Sequence, residues 1–320
     1  MKKINYVWWL LLNAILIYVC SSAIAHIHEK KQIINEVHES WSDYEFISPL
    51  LECNNDNEYY NPGPVRKNIE NYVAKAVKSN NASEVAYYLR LLNNGGTFWY
   101  NEKIKFIPAS LVKLPLAISV MRQITPTELE KTITITSSTK DLFEWDFYED
   151  NIELWQTYSI YTLLSEMLIH SDNNAATWLL EYLNTEKTLQ TYERFGLWLV
   201  DFTTDNSLNM SVKSYASFFR VLYNSSYLTR EWSETLLSLL SNSSFKIGIR
   251  SPLPTNIIIA NKYWVRSLPN WEKHIHDCGI IYYTDNPYLL CVMTRGNNEK
   301  WQLQVISDIS KMVYEDILGK

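Results

Sequence analysis

Apolar positions recur along the chain with two different periods. Over 65–79, Ile69, Val73, Ala76 and Val77 fall at helical spacing, which predicts an amphipathic helix. Residues 84–92 and 97–101 are β-rich runs on either side of Asn93-Asn94-Gly95-Gly96, and an Asn-Gly turn between such runs predicts a hairpin. From about 107 to 244 the pattern is mostly helical, with clear stretches at 161–170, 175–183, 212–223 and 230–240. The tail returns to strands at 256–260, 279–283 and 288–294, the last two separated by Thr284-Asp285-Asn286-Pro287, and closes on a helix at 308–317. No repeat of fixed period is present. Strand pieces at both ends with helices between them predict an α+β unit whose sheet is completed from distant parts of the chain.

The front of the chain has a different character. Met1-Lys2-Lys3 is a short basic start, residues 4–25 carry no charge, and Ala23-Ile24-Ala25 offers the small-x-small pattern read by signal peptidase, with cleavage before His26. An uncleaved membrane anchor is the alternative, since about 20 apolar residues span a bilayer. Bulky Val19 ahead of Cys20 argues against a lipoprotein site. Either way the body is expected to be exported, to the periplasm or another extracytoplasmic space. Residues 26–61 form a polar lead ending at the breaker cluster Asn61-Pro62-Gly63-Pro64. The resulting division is 1–25 signal or anchor, 26–61 lead, and 62–318 folded body. Within that body, 62–106 and 245–318 form the α/β part and 107–244 the helical part.

Composition narrows the function classes. With 29 basic against 35 acidic residues the net charge is -6, so there is no basic footprint for nucleic acid. A hydrophobic fraction of 47% excludes a disordered chain. Of the four cysteines, Cys20 falls in the front segment and Cys53 in a polar stretch, while Cys278 and Cys291 lie in neighbouring strands. Those two could bridge, but buried free thiols are the expectation. His274 and His276 share one strand face; with no third ligand evident, a polar strand end is favoured over a metal pair. His26 and His28 belong to the front segment.

The sharpest chemistry is in Phe106-Ile107-Pro108-Ala109-Ser110-Leu111-Val112-Lys113. Ser110 at a helix start places Lys113, three residues on, along the same face. A partly desolvated lysine amine can take the proton that a serine nucleophile must lose. Backbone N–H groups at a helix N-terminus can stabilise the oxyanion. The same Ser-x-x-Lys spacing also occurs at Ser137/Lys140 and Ser243/Lys246, so alone it equally describes an N-cap. His170-Ser171-Asp172-Asn173 follows a helical run, where Ser171 and Asn173 could relay a proton and hold a substrate amide, or could simply cap the next helix.

Ser-x-x-Lys followed about sixty residues later by Ser-Asp-Asn resembles the penicillin-recognising serine enzymes, and their class A β-lactamase branch most closely. The resemblance covers roughly 62–318. It implies a five-stranded antiparallel sheet with flanking helices and an inserted all-helical domain, the active site lying between them. It also implies an acyl-enzyme on Ser110, with Lys113 as general base and Ser171 passing the proton to the leaving nitrogen. Asn173 would hold the substrate amide and Lys262 its carboxylate. The family's strand motif, Lys-Thr-Gly, is matched by Lys262-Tyr263-Trp264, so Tyr263 and Trp264 depart from it, and Val265 would supply an oxyanion N–H. The family's loop glutamate for the deacylating water is altered: Asp205-Asn206-Ser207-Leu208-Asn209 imitates the spacing in a shortened loop. Asp205 is therefore the candidate water base.

The resemblance implies no cofactor or metal, a β-lactam or peptidoglycan stem peptide as substrate, and a monomer. A D-alanyl-D-alanine carboxypeptidase or penicillin-binding protein with slow deacylation is the alternative within that chemistry. A non-catalytic descendant that binds cell-wall peptide or protein is the alternative outside it.

Overall fold

The early hairpin and the late strands meet in one sheet. The computed structural model describes residues 21, 44–48, 63–136, 151–195, 209–267, 272–284 and 286–318. The chain divides into two compact units, Met1–Ser48 and Pro49–Lys320, and the second holds all the elements below. Helix α1 (Gly63–Lys78) leads into strands β1 (Glu84–Leu91), β2 (Thr97–Tyr100) and β3 (Lys105–Phe106). A 3₁₀ turn (Ala109–Val112) then opens helix α2 (Lys113–Gln123). Short strands β4 (Thr132–Thr134) and β5 (Thr157–Ser159) precede helix α3 (Ile160–Ser165), a π-helical turn (Glu166–His170) and helices α4 (Asn173–Tyr182) and α5 (Thr185–Arg194). Strand β6 (Met210–Ser211), helices α6 (Val212–Tyr223) and α7 (Arg230–Ser241), strands β7 (Ile258–Ser267), β8 (Lys273–Tyr282) and β9 (Tyr288–Gly296), and helix α8 (Glu299–Leu318) complete the order.

The main sheet runs β2-β1-β9-β8-β7, antiparallel throughout. β1 and β9 pair from Glu84↔Arg295 to Leu91↔Tyr288, which joins the two ends of the chain as the sequence pattern predicts. Side chains alternate across a strand. One face, with Tyr87, Leu89, Ile259, Ile275, Leu290 and Val292, packs against Ile69 and Val73 of α1 and Val305, Ile309 and Val313 of α8. Fully burying an aliphatic side chain of this size contributes about 1.5–3 kcal/mol, so this layer carries much of the stability. On the other face lie Lys262, Trp264, His276, Cys278 and Cys291; α6 packs on β9 and β1, and α7 runs along β7.

Several elements extend further than the sequence pattern suggests. β7 continues through Ser267 and β8 begins at Lys273, because backbone pairing runs unbroken to Ser267↔Lys273 across side chains too polar to signal a strand. Gly279 makes the close approach possible: a Cβ there would lie 2.6 Å from the Ala260 carbonyl. Helix α8 starts at Glu299, well before 308, with the Asn298 side chain accepting from the Trp301 N–H at 3.3 Å. The expectation of free thiols at Cys278 and Cys291 is corrected: the pair stands directly opposite in the β8–β9 register and is joined as a disulfide. Cys20, Cys53, His26, His28 and Ser137/Lys140 lie outside the described residues, as does the lead apart from 44–48. Among the described residues no helix is long and apolar enough to cross a membrane.

Candidate active site

Ser110 occupies the 3₁₀ turn ahead of α2, and this turn packs against β7. Pro108 precedes it, where a missing N–H leaves no helical bond unmade, and its carbonyl accepts from Leu111 N–H at 2.9 Å. Upstream, Lys105 and Phe106 pair with Ser211 and Met210, anchoring the approach to the serine. One turn on, Lys113 is wholly buried, and Ser110 is only 5% exposed.

Ser171 closes the π-helical turn with φ 63°, a left-handed conformation uncommon outside glycine and asparagine. That conformation turns the Ser171 carbonyl and hydroxyl toward Lys113. The Lys113 amine donates to the Ser171 carbonyl, lies 3.3 Å from Ser171 Oγ, and donates to Asn173 Oδ1 at 2.7 Å. Asp172 between them points the other way and caps α4, its Oδ1 accepting from Ala175 N–H at 2.7 Å. Its second oxygen accepts from the N–H groups of Asn151 and Ile152 at 2.5 and 2.9 Å. The helix-cap reading and the catalytic reading of this segment are thus compatible, each using different residues.

Lys262 enters from β7 and is fully buried in mid-strand, not solvated at a strand end. Its amine lies 3.3 Å from the carbonyls of Met167 and Leu168, in the turn where helical carbonyls lose their partners. Burial, and then the charge of Lys113, push the Lys262 pKa well below that of an ordinary lysine. Tyr263 does not line an open cleft. Its buried ring stacks on Phe245 at 3.8 Å and lies 5.4 Å from the Lys262 nitrogen, forming part of the lysine's wall. Trp264 is 3% exposed and rests on His276, with ring centroids 5.6 Å apart. Val265 follows it along β7 and is buried.

Ser110, Lys113, Ser171, Asn173 and Lys262 therefore belong to one region, drawn from the 3₁₀ turn, α2, the π-helical turn, α4 and β7. Asp205 lies outside the described residues. The other Ser-x-x-Lys within the described residues is a local loop link, Lys246 donating to its own Ser243 carbonyl at 2.6 Å. His274 and His276 are buried and 5.8 Å apart between ring centroids, packed with Phe106 and not exposed at a strand end. Among the described residues no group of three or more His, Cys, Asp or Glu side chains is arranged to hold a metal. Sequence reasoning missed Phe245 and the contact of His276 with Ile107; neither carries a local signal, because both depend on packing between distant segments.

Residues 65–317 match the beta-lactamase enzyme family. The chain belongs to that family. Solved structures agree in fold. A beta-lactamase from Chitinophaga pinensis superposes with a TM-score of 0.68 at 20% identity, covering 78% of this chain and 99% of that one. A class A beta-lactamase from Bacteroides cellulosilyticus gives 0.68 at 19% identity, covering 80% and 99%. PBP-A, in an acyl-enzyme complex with penicillin G, gives 0.68 at 17% identity, covering 80% and 97%. At these identities the likeness is one of fold. Among curated proteins none matches this chain.

Proposed function

We propose that this beta-lactamase family member is an exported serine hydrolase that forms an acyl-enzyme at Ser110 with a β-lactam or a related amide. The observation that carries the reading is the Lys113 amine, buried and bonded to both Ser171 and Asn173. Ser110 Oγ attacks the carbonyl carbon, and its proton passes to the Lys113 amine as the C–O bond forms. The backbone N–H groups of Ser110 and Val265 receive the developing oxyanion. The Ser171 hydroxyl hands a proton to the leaving nitrogen as the C–N bond breaks, and is reprotonated from Lys113. Asn173 orients Lys113 and the substrate amide, and Lys262 receives the substrate carboxylate. Water then hydrolyses the ester, with Asp205 as the candidate base for that water. Export rests on residues 1–25, and the mass of the mature N-terminus distinguishes cleavage before His26 from a retained anchor.

A second reading keeps the acylation and slows the hydrolysis, as in a penicillin-binding protein or D-alanyl-D-alanine carboxypeptidase. The loop motif at 205–209 favours it, since an aspartate stands where the family has the glutamate that activates the deacylating water. Labelling residues 26–320 with a fluorescent penicillin, beside a Ser110→Ala control, tests both. Label lost in the variant and decaying quickly in the native protein supports the hydrolase. A lasting label supports slow deacylation. No label on the native protein overturns both, and leaves a non-catalytic binder of cell-wall peptide or protein.

A further inference from the structure

His276 lies on β8, beyond the family's motifs, yet it touches the segment that carries the nucleophile. Its Nε2 is 3.1 Å from the backbone carbonyl of Ile107, three residues before Ser110. A carbonyl only accepts, so Nε2 carries the hydrogen and donates it. The ring is fully buried. Burial, and then the neighbouring His274, push its pKa down to about 3, so the imidazole is neutral, and its contact with the Ile107 carbonyl selects the Nε2–H tautomer.

The ring is also held in orientation. Phe106 packs edge-on at 5.3 Å between centroids, Trp264 covers it at 5.6 Å, and His274 lies at 5.8 Å. Trp264 thus packs on the histidine where the family pattern has glycine. The carbonyl of Ile107 is followed by Pro108, which has no N–H, so local backbone pairing cannot fix this peptide from the proline side.

We propose that His276 is a positioning residue for the nucleophile: its Nε2–H holds the Ile107 carbonyl and so sets the placement of Ser110. Trp264 and Phe106 hold the imidazole at the angle this requires. The inference deepens the acyl-enzyme reading by naming what aims its nucleophile.

The test compares His276→Phe, which fills the space without a donor, with His276→Gln, whose Nε2 can still donate. Two readouts are needed. For acylation by fluorescent penicillin, His276→Phe is expected to lose about 10- to 100-fold in the limiting rate, the range that misplacing a reacting group produces, with half-saturation little changed. His276→Gln is expected to recover most of that loss. The second readout, hydrogen exchange in the peptide spanning 107–113, is independent of any substrate. It is expected to quicken in His276→Phe and to stay near the native rate in His276→Gln. Unchanged exchange in folded His276→Phe, or equal rate losses in both variants at equal melting temperature, would overturn the positioning role. If the native protein takes no label, the acyl-enzyme reading fails on its own, and the exchange experiment still decides whether His276 holds the segment.

Discussion

Lys262 and Lys113 are two buried lysines in one site, and the charge of Lys113 adds to burial in driving Lys262 toward its neutral form. Unfolded, Lys262 keeps its proton to about pH 10.4; folded, it gives the proton up much earlier. Between those limits the unfolded chain binds more protons, so this group's effect on stability improves as pH rises and worsens as pH falls. Lys262→Met removes the burial penalty. The variant is expected to be about 1–4 kcal/mol more stable at pH 7, the range seen when apolar side chains replace buried ionic groups. Its advantage should shrink toward pH 10. Thermal melts at pH 7 and 9.5 check this; a less stable variant at pH 7 would show that Lys262 contributes net stability. Penicillin labelling of the same variant should weaken if Lys262 receives the substrate carboxylate as proposed, and unchanged labelling would remove it from that role.

Asn173 Oδ1 accepts from the Lys113 amine at 2.7 Å. Hydrogen bonds to charged groups contribute about 1.5–3 kcal/mol, and each 1.4 kcal/mol is tenfold in rate. Asn173→Ala is therefore expected to slow acylation by about 10- to 100-fold, while Asn173→Asp should keep the contact and shift the pH profile. Single-turnover labelling over pH 6–9 checks both. An Asn173→Ala variant as fast as the native protein would separate Asn173 from the reaction.

Much of this arrangement was legible in the sequence because its signals are local. The Asn-Gly hairpin, the helix over 212–223 and the Ser110/Lys113 and Ser171/Asn173 pairs each rest on spacing within a few residues. Position in the sheet was not local. His276 reads as a polar strand-end residue and Lys262 falls past the strand predicted at 256–260, yet both are buried, because continuous pairing from Ile258↔Tyr282 to Ser267↔Lys273 carries them inside. Tyr263 was legible as the neighbour of Lys262, but its stacking on Phe245 depends on how α7 meets β7. The Cys278–Cys291 link depends on register, which no single strand encodes.

Asp172 joins the serine-bearing segment to the loop before β5. Its carboxylate caps α4 through Ala175 and takes the backbone N–H groups of Asn151 and Ile152. Losing an N-cap costs about 0.5–2 kcal/mol, and leaving buried donors unmet adds about 1–3 kcal/mol. Asp172→Ala is expected to lower stability by roughly 1.5–5 kcal/mol. Asp172→Asn should lose less, because its remaining carbonyl oxygen still accepts. Urea unfolding of the two variants checks the order, and equal losses would mean that the loop contacts carry little.

His276 and Asp277 are neighbours on β8 that face opposite sides of the sheet and pull stability in opposite directions with pH. Asp277 accepts from Ile249 N–H and from Asn261 Nδ2, both at 2.9 Å, beside Gly248, where φ is 78° and a Cβ would lie 2.6 Å from the carboxylate oxygen Oδ2. Burial outweighs these bonds and raises the Asp277 pKa to about 7. From about pH 4, where an unfolded aspartate ionises, up to that value, the folded chain binds the extra proton. Asp277 therefore makes the protein less stable as pH rises through this window. His276, lowered to about 3, does the reverse. The unfolded histidine takes its proton below about pH 6.5, so stability is lost as pH falls from there. Between about pH 4 and 6.5 the two slopes, each near 1.4 kcal/mol per pH unit, offset one another. Asp277→Asn should leave the histidine slope exposed, with stability climbing from pH 4.5 to 6.5 relative to the native protein. His276→Gln should leave the aspartate slope, with stability falling over the same range. Urea unfolding at pH 4.5, 5.5 and 6.5, read as differences from the native protein, isolates these two groups from all shared titrations. Parallel curves for all three proteins would mean that neither buried group keeps the protonation state its surroundings impose.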